Sequence, residues 1–170
     1  MSSPVERNIP AFTTRVAEAA ELLREKAAQG SSVQVMSHFD ADGLCAGGII
    51  GNALQRAGAA IHVRAVTGLD EQTLDEFQSE NYEIIIFADM GGGVLDLLSE
   101  KVKKTAIVLD HHQSAGTPSS NIIHVNPHEF GIDGARDVSG AGVSYLVARA
   151  MSPENLDLSH LAIVGALGDM

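Results

Sequence analysis

Tryptophan is absent, and aromatic residues make up only 4% of the 170 residues. A core must therefore be aliphatic, drawn from a hydrophobic content of 45%. A single cysteine, Cys45, excludes an intramolecular disulfide. Met1–Arg7 lacks the apolar stretch of a secretory signal. Together these point to a reducing, cytoplasmic compartment. No run approaches the ~20 uninterrupted apolar residues of a membrane span, so no membrane partner is expected. Basic residues are scarce as well: 11 Lys and Arg stand against 22 Asp and Glu, a net charge of −11. That balance excludes a generic polyanion-binding surface. A nucleic-acid substrate would need a local basic face or another part of the protein. Length permits one domain with a substantial core, and 17 glycines imply many tight turns.

Ala11–Ala28 is predicted as an amphipathic helix with Phe12, Val16, Ala19, Leu22 and Leu23 on one stripe. Gly30, Ser31 and Ser32 end it. Strands are expected over Val33–Ser37, Ala60–Val66, Glu83–Ala88, Thr105–Leu109 and Asn121–Val125. Helices are expected over Gly43–Ala57, Glu71–Gln78 and Val94–Val102. A loop runs from Asn126 to about Val138, and helices follow over Ser139–Met151 and Leu156–Leu167. Alternation of this kind predicts an α/β fold, a parallel β-sheet sandwiched by helices. The near-continuous apolar strands agree, because burial on both faces removes polar alternation. Gln113–Ser120, rich in Ser, Gly, Thr and Pro, is the expected flexible surface segment. Residues 1–32 are expected to form a helical lead-in and 33–170 the main domain.

Three of these strands end in carboxylates or imidazoles, and ligands bind outside the carboxyl ends of parallel strands. His38, Asp40 and Asp42 alternate after the first strand, a spacing that places side chains on one face. Alternatively, Asp42 caps the next helix and Asp40 is solvated. Asp89 alone reads more readily as a helix cap or turn residue, but the three glycines after Met90 make a permissive turn that suits a carboxylate held over a site. In Asp110-His111-His112 the adjacent rings diverge, so one imidazole can bind metal while the other faces substrate. Asp110 can orient a neighbouring ring. Carboxylates dominate and no cysteine is in position, which favours Mn²⁺ or Mg²⁺ over structural zinc. The ligand number suits two ions about 3.5–4 Å apart sharing a carboxylate, the arrangement of two-metal phosphoryl chemistry.

Ser139 and Gly140 open a helix whose small residues suit backbone contact with a phosphate; a plain N-cap is the other reading. His124 and Asn126, near a strand end, are further candidates. His128 and Arg136 are read as solvated loop residues, His62 and His160 as structural, and Cys45 as packing. Leu161–Asp169 is an apolar segment delivering one more carboxylate, Asp169. The chain is expected to be a fragment of a longer protein, cut after that ligand.

Ser37-His-Phe-Asp-Ala-Asp-Gly43, Ala88-Asp-Met-Gly91, Leu109-Asp-His-His112 and Gly165-Ala-Leu-Gly-Asp169 resemble the successive motifs of the DHH phosphoesterase family. The first motif is similar to the RecJ-type single-strand exonuclease branch, especially its archaeal members. The resemblance spans about residues 33 to 170. It implies that His38, Asp40 and Asp89 hold one Mn²⁺, and that Asp42, Asp89, His111 and Asp169 hold a second, Asp89 bridging. It also implies that His112 binds the scissile phosphate and that Asp110 supports the histidines. The implied activity is exonucleolytic hydrolysis of single-stranded DNA or RNA, in DNA replication or repair. The resemblance also implies a smaller C-terminal substrate domain, which is expected to be absent from this chain. Two other readings accompany the resemblance: a replication scaffold associated with the GINS complex, and a phosphodiesterase of oligoribonucleotides or cyclic dinucleotides. A pyrophosphatase is disfavoured, because its first motif has a Pro-Asp-Thr-Asp character, unlike Phe39-Asp-Ala-Asp42.

Overall fold

Ile84–Ala88 and Thr105–Leu109 carry apolar side chains on both sides of the backbone from Ile84 and Ala106 onward, and such segments are stable only between two layers. In a computed structural model describing residues 7–170, they form the centre of a parallel five-stranded sheet of order β2-β1-β3-β4-β5. The strands are β1 (Ser32–His38), β2 (Ala60–Val66), β3 (Ile84–Ala88), β4 (Thr105–Leu109) and β5 (Ile122–Val125). The helices are α1 (Ile9–Ala28), α2 (Ala41–Arg56), α3 (Glu71–Ser79), α4 (Leu95–Lys101), α5 (Gly140–Met151) and α6 (Ser159–Gly168). The first six residues of the lead-in lie outside the described residues.

Alternate side chains of each central strand serve opposite layers, as the pleat requires. Ile84, Ile86 and Ala88 join Val33, Val35, Ile107 and Leu109 beneath α1, α2 and α5. Ile85 and Phe87 join Met36, Ala106 and Val108 beneath Leu74 and Phe77 of α3 and Leu95 and Leu98 of α4. The chain leaves β1 in one direction through α2 and returns past it through α3. Right-handed crossovers therefore put these helices on opposite faces. The reversal creates a switch point between β1 and β3, where ligands of open α/β sheets bind.

The register is what positions the site. Ser37 pairs with Ala88, Ala88 with Leu109, and Leu109 with Val125. The next residues, His38, Asp89, Asp110 and Asn126, thus leave the sheet side by side.

Several expectations need correction. β2 is an exposed edge strand with no buried residue, whereas β5 at the other edge is largely buried, so two-sided burial fails for β2 alone among the five strands. The expected helix Val94–Val102 begins instead as a 3₁₀ turn, Gly92–Val94. Leu156–Leu167 divides into a 3₁₀ segment, Pro153–Leu158, and α6. Gln113–Ser120 is not loose. Ala115 N–H donates to the Gly92 carbonyl at 2.8 Å. Thr117 N–H donates to Asp96 Oδ1 at 2.9 Å, and Ser119 N–H to Ser99 Oγ at 2.8 Å. The segment is stitched along α4.

Candidate metal centre

Asp40, not Asp42, caps α2: its Oδ1 accepts from Gly43 N–H at 2.9 Å. Its Oδ2 lies 2.7 Å from His38 Nδ1. Asp42 is in the first turn of α2, only 1% exposed, and reaches across to a different helix. Its Oδ2 accepts from Gly140 N–H at 2.7 Å, and its Oδ1 from Ala141 N–H at 3.0 Å. The carboxylate therefore sits at the positive end of α5, where backbone donors and the helix dipole favour an anion. These are donors that the sequence offered to a phosphate. Ser139 is the N-cap of α5, its Oγ accepting from Gly142 N–H at 3.2 Å.

Asp89 is the one described non-glycine residue with positive φ, at 62°. Such a backbone costs on the order of 1 kcal/mol. It is held there by its N–H donating to the Leu109 carbonyl at 2.7 Å. The strained turn keeps the carboxylate over the switch point, 2% exposed. A Cβ on Gly140 would stand 2.2 Å from Asp89 Oδ1, so only glycine lets α5 approach this closely.

His111 is buried beside it. Its Nδ1 lies 2.8 Å from the Gly134 carbonyl, an obligatory acceptor, so Nδ1 carries a proton. In the neutral ring Nε2 then presents a lone pair, the tautomer a metal ligand needs. Three carboxylates converge on that nitrogen: Asp89 Oδ1 at 3.3 Å, Asp42 Oδ2 at 3.7 Å and Asp169 Oδ1 at 3.9 Å. Yet His111 Nε2 and Asp89 Oδ1 are both buried without a hydrogen bond of acceptable geometry. Burial pushes the Asp89 carboxyl up to about 6, reinforced by Asp42 and Asp110 and opposed by His111. Burial disfavours the His111 cation, but Asp89, the Gly134 carbonyl and Asp169 outweigh it and raise its pKa to about 9. At neutral pH the proton of this pair resides on the imidazole.

Asp110 is 1% exposed and fully engaged. Its Oδ2 accepts from Gly92 N–H at 2.7 Å. Its Oδ1 accepts from His111 N–H at 2.8 Å and lies 2.8 Å from His112 Nδ1. Burial works against its charge, but the His112 ring and the backbone N–H groups of Gly92 and His112 win and lower its pKa. The same contact raises the pKa of His112, whose side chain is 56% exposed at the mouth of the site. Asp110 thus fixes the ring while leaving Nε2 free.

Two clusters emerge with ligand atoms within 4.8 Å of one another: His38, Asp40 and Asp89, and Asp42, His111 and Asp169. A third grouping, Asp89, His111 and His112, ties them together. Unpartnered buried carboxylate oxygen and imidazole nitrogen, with no sulfur donor, fit a hard divalent cation such as Mn²⁺ or Mg²⁺.

The remaining candidates lie outside these clusters. Asn126 is buried, donating to the His112 carbonyl at 2.9 Å and accepting from His128 N–H at 3.0 Å. His124 pairs with Glu129 Oε1 at 2.7 Å behind it. Arg136 is exposed. His62 bonds Tyr82 Oη and His160 the Asp157 carbonyl. Burial and Asp42 raise the Cys45 thiol pKa, the opposite of an activated nucleophile. Sequence reasoning missed the backbone partners, namely the Gly134 carbonyl and the N–H groups of Gly92 and Ala141. Their only signal was glycine in two of the three positions.

The family model "DHH family, N-terminal domain" matches residues 32–167. Asp169 lies just beyond that match, and its place in the site rests on geometry. Protein MJ0831 of Methanocaldococcus jannaschii is 42% identical over 144 residues, covering 81% of this chain and 33% of the relative. The single-stranded-DNA-specific exonuclease RecJ of Thermus thermophilus is 32% identical over 167 residues, covering 90% of this chain and 24% of RecJ. The crystal structure of that RecJ with Mn²⁺ aligns with a TM-score of 0.77 and 29% identity, over 91% of this chain and 24% of that one. A second solved structure, an exonuclease RecJ bound to manganese, aligns with a TM-score of 0.77 and 26% identity, over all of this chain and 45% of the other. The chain thus spans a third or less of the two sequence relatives.

Proposed function

Because this chain belongs to the DHH family, we propose that it is the catalytic part of a metal-dependent phosphodiesterase, a RecJ-like exonuclease of single-stranded DNA or RNA. The observation that carries this is the buried, unpartnered pair His111 Nε2 and Asp89 Oδ1 among three further carboxylates. The two atoms attract across 3.3 Å but make no hydrogen bond of good geometry, and a buried polar atom without one costs about 1–3 kcal/mol, which calls for a functional reason. A metal-binding role supplies the reason. The names of its relatives, a single-stranded-DNA-specific exonuclease and structures holding Mn²⁺, support the substrate class and the ion.

His38, Asp40 and Asp89 would hold one Mn²⁺, and Asp42, Asp89, His111 and Asp169 a second, with Mg²⁺ as a substitute. Divalent ions in such a pair supply Lewis acidity and lower the pKa of water for in-line attack at phosphorus. The chain's own residues do the rest. His112, whose protonated form is favoured by its bond to Asp110, would contact the scissile phosphate and balance charge developing on its oxygens. Asp110 holds that ring in place. The N-terminus of α5 offsets the charge of Asp42, so that several acids can be packed together.

A scaffold that merely associates with GINS has no use for the buried ligand set, which favours hydrolysis. The test is a Mn²⁺ titration followed by a substrate panel of single-stranded DNA, single-stranded RNA, a cyclic dinucleotide and pyrophosphate. Two ions per chain and stepwise shortening of a polymer are expected. One ion or none, or turnover of pyrophosphate alone, contradicts the reading.

A further inference from the structure

Phe39 stands between His38 and Asp40, yet its side chain is 55% exposed. Leaving more than half of it in water forgoes part of the free energy that burial of an aromatic ring supplies. Single exposed apolar residues are common on surfaces, but this one is held in a defined place. Its ring meets the His38 imidazole edge-on, with centroids 4.9 Å apart and planes at 69°. It also walls a groove with Arg64, Val66, Thr67, Thr73 and Phe77 at the carboxyl end of β2. Thr67 and Gly68 belong both to this groove and to the cleft containing His38, Asp89 and His112. The groove therefore continues from the metal centre across the ends of β1 and β2. Its far wall is fixed, because the Arg64 guanidinium lies 4.9 Å from the Phe77 ring centroid and pairs with Glu80 Oε1 at 3.4 Å.

The chain's net charge of −11 leaves little to attract a phosphate backbone. Stacking on a neutral ring is not repelled by that charge, and it is indifferent to base identity. We propose that Phe39 is a stacking platform for the nucleobase adjoining the scissile phosphodiester. This rests on the phosphodiesterase reading and specifies it: the substrate class is a strand whose terminal base is unpaired and free to leave its neighbours. Paired ends and substrates without a base gain nothing from this surface.

The test is binding of short DNA strands carrying 2-aminopurine at the terminal or penultimate position, followed by fluorescence, with Ca²⁺ replacing Mn²⁺ to avoid paramagnetic quenching. A strand with an abasic terminal sugar is the comparison. Wild type and Phe39→Tyr quench 2-aminopurine at one of the two positions. Phe39→Ala loses that quenching and binds base-bearing strands about tenfold more weakly, the worth of one stacked base. The abasic strand binds wild type and Phe39→Ala alike. The proposal is overturned if wild type quenches at neither position, if Phe39→Ala retains the quenching, or if Phe39→Ala weakens both strands equally, which would indicate a disturbed His38. Hydrolysis in Mn²⁺ is scored separately. Quenching that depends on Phe39, without cleavage, would defeat the phosphodiesterase reading and leave the stacking site standing.

Discussion

Asp89 belongs to the cluster with His38 and Asp40 and to the grouping with His111 and His112 that links it to the second cluster, and its backbone already occupies a conformation that Asn tolerates well. Asp89→Asn therefore keeps the turn and removes the charge. We expect Mn²⁺ affinity to fall about 100-fold, at least the scale of losses at metal-supporting residues. Its folded pKa of about 6 lies above the ordinary carboxylate value. An acid raised in this way contributes most below its unfolded pKa of about 3.9, and that contribution is lost as pH rises through 6. Without added metal, Asp89→Asn should thus match or exceed wild-type melting temperature at pH 7. A large loss of stability would assign Asp89 to the fold instead. His111 is raised to about 9, so its proton stabilises fully below about 6.5 and ceases to do so through pH 9. Metal must displace that proton. Calorimetry between pH 7 and 8.5 should find affinity rising by about tenfold per pH unit, with about one proton released. A pH-independent affinity would contradict this. His38, Asp89 and Asp110 were readable as candidates because each follows an apolar strand. The division of labour between Asp40 and Asp42 was not, because it depends on α5, almost a hundred residues downstream. Nor was the Gly134 carbonyl, since a backbone acceptor leaves no mark on the side-chain pattern.

The element that assembles the site is the N-terminus of α5, docked on Asp42 and pressed against Asp89. Gly140→Ala would place a methyl group 2.2 Å from Asp89 Oδ1, against atoms with no room to move. Overpacking of this kind costs about 1–3 kcal/mol, and here it should also weaken Mn²⁺ binding. Gly48 in α2 is the contrast, because its added Cβ would find nothing nearer than Leu161 Cδ1 at 3.8 Å. Gly48→Ala should stabilise by about 0.5–1 kcal/mol through helix propensity and leave the metal site unchanged. Urea unfolding with Mn²⁺ titration separates the two; equal behaviour of both variants would remove α5 from its place in the site. The inner strands were legible to within a residue or two because burial on both sides imposes a continuous apolar run. β2 has similar composition, Ala60-Ile-His-Val-Arg-Ala-Val66, but lies at the edge, and position in a sheet is not encoded locally. The segment after His112 looked flexible by composition. Asp96 and Ser99 of α4 hold it in place, partners a local reading cannot supply.

Across the whole molecule, one row of the sheet turns four separate stretches of sequence into one site. The α/β class followed from alternation of strands and helices, whereas the order β2-β1-β3-β4-β5 came only with the structure. That order matters, because the reversal between β1 and β3 opens the crevice that Asp89 overhangs. No described helix is long and apolar enough to cross a membrane. Given the acidity of the chain, a polyanionic substrate would have to be held by ions at the site or by stacking. The most direct measurement is Mn²⁺-dependent cleavage of end-labelled single-stranded DNA and RNA by the full-length protein, with Asp89→Ala alongside. Stepwise loss of nucleotides by wild type, absent in Asp89→Ala and abolished by chelation, is the predicted result. Substantial Mn²⁺-dependent cleavage by Asp89→Ala, or none by folded, metal-loaded wild type, would contradict it.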